Sequence, residues 1–255
     1  MGDKIQTRSK TTETSLEIVG TIREQEGTSI AELSEHVGLS ESTVHRHLVS
    51  LQEYDYVVKD EDRYHIGFQF LTLGGYAQQR VTAYPVIKEK VDQLAENTGE
   101  RAQCIVEENG QRVYLYTEVG ESAVQTGAHI GRRGPLHVSA AGKAILANLP
   151  DERVDEIVDT HGFAGGTQNG ISTRAELEET LRAVRDRGYG LNEQETTEGV
   201  NAIGAPIMDN SEEVIGALSV SGPASRLTEE HLVETVSEEV LSATNEVELY
   251  IAHSV

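Results

Sequence analysis

The 255 residues suit two modest domains better than one, and a 37% apolar share with 9 Tyr, 3 Phe and no Trp implies cores of Leu, Val, Ile and Ala. With no run of about 18 apolar residues, a polar start (MGDKIQTRSKTTET) and Cys104 as sole cysteine, the sequence argues against a membrane span, a signal peptide and a disulfide framework, so a cytoplasmic protein is expected. The net charge of −22, from 43 Asp plus Glu against 21 Lys plus Arg, opposes any partner drawn in by long-range attraction to phosphates.

Leu16, Ile18, Val19 and Ile22 recur at helical spacing and predict a first helix, ended by Gly27. Ser29-Ile30-Ala31-Glu32 has the form of a capping box and starts a short helix through Val37. Gly38 can take the left-handed conformation that a tight turn needs, and Ser40 is expected to cap a second helix to about Glu53. Leu33, Val37, Leu39, Val44, Leu48 and Leu51 form a shared apolar stripe, with Ser34 small where a bulky side chain would part the helices. This spacing predicts a helix-turn-helix, whose second helix enters the DNA major groove. Its outward residues are Glu41, Ser42, Thr43, His45, Arg46 and Val49, several of which can reach base edges or phosphates, and its start at Ser40 suits a phosphate. An ordinary helical hairpin with a polar face is the competing reading. Against it, the segment 56–66 reads as a β-hairpin with an acidic turn, and a hairpin directly after a helix-turn-helix is a wing.

Residues 29–75 resemble the N-terminal domain of the isocitrate-lyase-regulator (IclR) family of transcription factors, through IAELSEHVGLSESTVHRHLVSLQEYDYV and RYHIGFQFLTLGG. The Ser-Thr-Val-His-Arg-x-Leu run at 42–48 is the most distinctive part. Asp60-Glu61-Asp62 departs from the expected wing tip, which leaves Lys59, Arg63 and Tyr64 as the wing's candidate DNA contacts. Residues 68–83 look helical, with Phe68, Leu71 and Tyr76 partly on one face. Gly74-Gly75 costs about 1 kcal/mol per glycine there, so either the helix breaks or a second backbone packs close. The resemblance implies a linker helix that helps pair two subunits; a plain connecting helix stays open.

From Tyr84 the pattern changes. A helix over 85–96 precedes strands at 102–107, 112–118 and 123–130, with Asn109-Gly110 as a hairpin turn. Helices at 139–149, 151–160 and 173–187, strands at 202–208 and 214–221, and a long acidic helix from Thr228 complete an α+β domain. The boundaries read as a winged helix-turn-helix over 1–67, a linker helix over 68–83 and a second domain over 84–255. The family resemblance continues through GPLHVSAAGKAILANLP, RGYGLNEQETTEGVNAIGAPIMD and VIGALSVSGPASRLT. It implies a GAF-like effector-binding domain with an antiparallel sheet and a ligand pocket at Ala140, Asn192, Ala202, Ser219 and Ser221. Family members often carry an acidic residue where Asn192 stands and a cysteine where Ala202 stands. From the residues themselves, Ser139 is a plausible N-cap whose helix would turn backbone N–H groups toward a carboxylate. Ser219 and Ser221 alternate along a strand, which sets both hydroxyls on one face. A small organic acid or sugar-derived metabolite fits these groups; the competing reading is that the serines only bond neighbouring backbone.

Other motifs are read as bland. Ala141-Gly142-Lys143 lacks the spacing of a phosphate loop, and Ser219-Val220-Ser221-Gly222 lacks a nucleophile elbow's glycines. His45 and His47 point to different sides of one helix, His137 reads as structural, Cys104 as core, and Glu195 and Glu198 as solvated surface. No catalytic constellation, metal cluster or cofactor motif is found.

The acidity is uneven: residues 1–83 carry 8 basic and 13 acidic side chains, residues 84–255 carry 13 and 30. One reading is a protein with no nucleic-acid partner. The other is a halophilic protein: at about 1 M salt the Debye length is roughly 3 Å, so repulsion from DNA largely disappears. The sequence as a whole predicts a dimeric or tetrameric regulator that binds double-stranded operator DNA and a small-molecule effector. A metabolite-converting enzyme and a protein–protein adaptor are the alternatives.

Overall fold

The computed structural model describes residues 8–124 and 127–254. Two compact units divide the chain, Met1–Gln79 and Arg80–Val255.

In the first unit, α1 (Lys10–Glu24) starts on Ser9, whose hydroxyl accepts the Thr12 N–H. Ile18 and Ile22, one turn apart, are buried; Leu16 lies off that stripe and is 64% exposed, against the sequence pattern that grouped it with them. In α2 (Ile30–Val37) the capping box forms in both directions between Ser29 and Glu32, and Gly38 closes the helix at φ 66°. Ser34 does more than stay small, because its hydroxyl donates to the Leu39 carbonyl at 2.6 Å and fastens the turn. The second helix, α3 (Glu41–Glu53), buries Val44 and Leu48 against Leu33, Ile18 and Ile22. The hairpin β1 (Val57–Asp60) and β2 (Arg63–Ile66) follows in antiparallel register, turning at Glu61 with φ 53°. Thr28 bridges to Tyr64, which ties the strand pair to the start of α2. Then α4 (Gln69–Gln79) runs unbroken through Gly74 and Gly75, and a Cβ at either glycine would meet nothing within 4 Å. Among the described residues there is neither the break nor the close second backbone anticipated there. The helix also stops four residues short of 83: Val81 and Ala83 pack on the core of the second unit.

The second unit is an antiparallel six-stranded sheet. Its elements are α5 (Tyr84–Thr98), β3 (Arg101–Glu108), β4 (Gln111–Val119), β5 (Arg133–Pro135), α6 (Ala140–Asn148), α7 (Asp151–His161), α8 (Arg174–Arg187), β6 (Gly190–Glu193), β7 (Val200–Met208) and β8 (Val214–Pro223). After a short α9 (Glu229–His231) and a π-helical stretch at Leu232–Val236, α10 (Ser237–His253) ends the unit. The strand order is β5-β4-β3-β8-β7-β6. Alternation splits the side chains between two cores. Ala102, Cys104, Ile203, Leu218 and Val220 face α5 and α10 with Ile87, Val91, Val240 and Val247. Ile105, Tyr114 and Ala217 belong to the core that Ile145, Leu177 and Leu181 of α6 and α8 complete.

Two strands differ from expectation. Over 123–130 no described residue is strand, and Gln125 and Thr126 lie outside the described residues; the edge is the three-residue β5 instead. The short β6 went unread because four residues beginning with glycine carry no legible alternation.

Candidate DNA face and candidate effector pocket

On α3, Glu41, Ser42, His45, Arg46 and Val49 are exposed and Thr43 is half-buried. Ser40 occupies the N-cap position, but its hydroxyl makes no cap bond; it lies 3.0 Å from both the Ser42 and Thr43 hydroxyls. The helix start therefore presents three clustered hydroxyls, and while the Thr43 N–H bonds the Ser40 carbonyl, those of Glu41 and Ser42 point out of the first turn. Arg46 Nη2 donates to Thr43 Oγ1 at 3.3 Å. In the wing, Lys59 is exposed, whereas Arg63 donates to the Gly27 carbonyl at 2.7 Å and lies 3.5 Å from the Glu32 carboxylate. Tyr64 is a correction: only 6% exposed, it is part of the helix-turn-helix core, because its place in β2 turns it inward beneath Thr28. The sequence also missed His47, whose Nδ1 sits 2.8 Å from Ser15 Oγ and joins α3 to α1.

In the second unit, the start of α6 lies against the sheet, and two glycines make that possible. A Cβ on Gly190 would fall 2.3 Å from the Ala140 carbonyl oxygen, and one on Gly204 would fall 2.7 Å from the Ala141 nitrogen. Ser139 caps the helix by accepting the Gly142 N–H at 3.1 Å. Between this first turn and the sheet is a small cavity of about 40 Å³. Ser139, Ala140, Asn192, Ala202, Ser219 and Ser221, chosen from the sequence, all line it.

Their hydroxyls and amide are mostly engaged within the chain. Ser219 Oγ donates to the Ile203 carbonyl at 2.7 Å, and Ser221 Oγ accepts from Gln103 Nε2 at 3.1 Å. Asn192 Oδ1 accepts the N–H groups of Glu195 and Thr196, which shapes the loop after β6. In that loop Glu198 is exposed, as the sequence suggested, but Glu195 is not solvated: it is buried and ion-paired with Lys143 of α6, whose ammonium pKa burial pushes down.

Among the lining residues that the sequence did not single out are Arg112, Arg132, Gln103 and Thr196. Arg112 is 4% exposed. Its guanidinium lies 5.6 Å from the Tyr114 ring centroid, donates to Thr196 Oγ1 at 3.4 Å, and leaves Nε unbonded. Burial, with Arg132 nearby, pushes its pKa down. Nearby His137 is 6% exposed against Phe163, and burial likewise holds its pKa below the ordinary histidine value. Arg112 of β4 pairs with Glu107 of β3 on one side and with Gly134 of the edge strand β5 on the other.

A winged helix-turn-helix is thus followed by a sheet domain enclosing a polar cavity at a helix N-terminus. Residues 78–249 match the family described as "Bacterial transcriptional regulator IclR C-terminal", and residues 12–61 match the "IclR helix-turn-helix domain". The chain belongs to the IclR family. It is an IclR-type transcriptional regulator, with a DNA-binding helix-turn-helix domain and a C-terminal effector-binding domain. The "Probable HTH-type transcriptional regulator ArcR" of Halobacterium salinarum is 34% identical over 238 residues, covering 92% of this chain and 90% of that one. The crystal structure of the Thermotoga maritima IclR is similar at a TM-score of 0.83 and 25% identity, over 95% of this chain and 99% of that one. An IclR homolog from Microbacterium hydrocarbonoxydans complexed with 4-hydroxybenzoate shares the fold, at a TM-score of 0.81 and 18% identity, over 95% of this chain and 99% of that one. No helix among the described residues is long and apolar enough to cross a membrane.

Proposed function

We propose that this IclR-family regulator works as a homodimer or tetramer in a salt-rich cytoplasm, binding operator DNA through α3 and the wing and changing that affinity when a small metabolite fills the α6 cavity. The observation that carries the reading is the convergence of Ser139, Ala140, Asn192, Ala202, Ser219 and Ser221 on one cavity at a capped helix start. The homolog from Microbacterium, held with 4-hydroxybenzoate, supports a metabolite as the occupant. Ser40, Glu41, Ser42, Thr43, His45, Arg46 and Lys59 are assigned to the DNA face, with Arg63 reaching it only by leaving Gly27 and Glu32.

Pairing of two copies is assigned to α4 and its approach, where Phe68, Leu71 and Tyr76 are 84%, 70% and 70% exposed. Apolar surface of that size calls for a cover, and paired recognition helices read two half-sites. The role is binding rather than catalysis, in keeping with relatives named as regulators. A salt-loaded compartment accounts for the charge of −22 and accords with the Halobacterium relative. Effector action needs unequal affinity for the DNA-competent and DNA-incompetent states, and linkage makes DNA alter effector affinity by the same factor.

The test is binding of the purified chain to its own upstream DNA and to a scrambled fragment in about 1–2 M potassium chloride, where screening removes long-range repulsion. Selective binding is expected. Equal binding to both fragments at every salt, with and without candidate metabolites, would overturn the reading.

A further inference from the structure

We infer that the effector is a small hydroxylated carboxylate, its carboxylate held by Arg112 and its hydroxyl by Gln103. This rests on the α6 cavity being the effector site.

In a chain with twice as many acids as bases, every arginine with a carboxylate partner among the described residues has a side chain more than a third exposed, as Arg133 does with Glu108, Arg153 with Glu107, Arg185 with Asp151 and Arg226 with Glu100. Arg112 is far more deeply buried, yet no carboxylate among the described residues comes within ion-pair distance of it. Among the described residues its side chain makes one hydrogen bond, a long one, and of the groups that act on it Tyr114 is a neutral phenol and Arg132 a charge of like sign. A buried charge without a counter-charge is costly and is retained where something else supplies that charge. The chain makes room for this guanidinium: a Cβ on Gly134, the β5 residue paired with Arg112, would fall 2.9 Å from its Nε. Arg112 lines the same cavity as the first turn of α6, whose N–H groups also favour an anion. A carboxylate there meets a planar cation suited to bidentate pairing.

The second half comes from Gln103, 5% exposed on the cavity wall. Its Nε2 donates one N–H to Ser221 Oγ, and its Oε1 is buried with no partner among the described residues. Only a donor satisfies a carbonyl oxygen. A hydroxyl donates and a keto oxygen does not, so the site favours hydroxy acids over keto acids of the same size. The small volume limits the ligand to a few carbons unless the 192–197 loop yields.

Calorimetric titration of the full chain in about 1–2 M potassium chloride with glycolate, lactate and glycerate, then pyruvate and 2-oxobutyrate, then glycerol, tests this. The hydroxy acids should bind at least about tenfold tighter than their keto counterparts, the ratio one unsatisfied buried polar group produces. Glycerol should give no heat. Gln103→Met should bring the lactate-to-pyruvate ratio close to one, and Arg112→Met should weaken every acid by about tenfold or more. Without ligand, Arg112→Met should also unfold at a temperature no lower than the parent, because it removes an uncompensated buried charge. Keto acids binding as well as hydroxy acids, glycerol binding, undiminished acid binding by Arg112→Met, or no heat from any compound would overturn the inference. The hydroxy-to-keto ratio is read on the unaltered chain and stands even if a variant does not fold. Selective operator binding by the same preparation separates failure of this inference from failure of the regulator reading.

Discussion

Arg46 projects from α3 with a single 3.3 Å bond to Thr43, so a phosphate or base edge has little to displace. Arg46→Ala should weaken operator binding by about 1–3 kcal/mol while leaving effector binding unchanged; equal operator affinity in a gel-shift titration would exclude the contact. His137 makes a pH-dependent contribution of known sign. Burial, with Arg112 and Lys143 nearby, holds its pKa below the usual histidine value, so the unfolded chain takes up a proton that the folded chain refuses. Its stabilising effect is therefore complete above about pH 6.5 and is lost as pH falls below that value. Urea unfolding from pH 7.5 to 5.5 should show the decline, and His137→Gln should flatten it. Individual residues were the least legible scale in the sequence. Arg112 and Glu195 gave no sign of burial, because what covers them, β5 and the loop after β6, comes from distant segments that the sequence pattern did not mark as structured. Tyr64 erred the other way, a polar-tipped ring on a short strand that the core claimed.

Elements with local signals were legible. The capping box at Ser29, the left-handed turn at Gly38 and the Asn109-Gly110 hairpin stand as read, since each is fixed by a few adjacent residues. Ser29→Ala should cost about 1 kcal/mol by removing the cap, a shift to be read in chemical denaturation. The contact of α6 with β6 and β7 was not legible, because Gly190 and Gly204 matter only through backbone brought from elsewhere. Gly204→Ala should lower stability by about 1–3 kcal/mol, since the new methyl meets main chain that cannot rotate aside. Wild-type stability with intact effector binding in that variant would mean α6 does not sit this closely.

At the scale of the whole chain, the surface carries the excess of acid, and self-repulsion should oppose folding at low salt. The unfolding temperature is expected to rise with potassium chloride from about 0.1 to 2 M, as the Debye length shrinks from roughly 10 Å to under 3 Å. A flat response by calorimetry would remove screening as the reason for the composition. Length suggested two domains and the order of predicted strands and helices made the α+β class readable, yet the packing of Val81 and Ala83 on the core of the second unit is something no local pattern reveals. The close seat of α6 on its two glycines has an evolutionary consequence. One wall of the cavity is main chain, which point substitution does not re-letter, while the facing wall is built of side chains such as Asn192, Ala202 and Gln103. A lineage can therefore revise what the sensor recognises at the side-chain wall, one codon at a time, while the helix end that receives the anion is inherited unchanged.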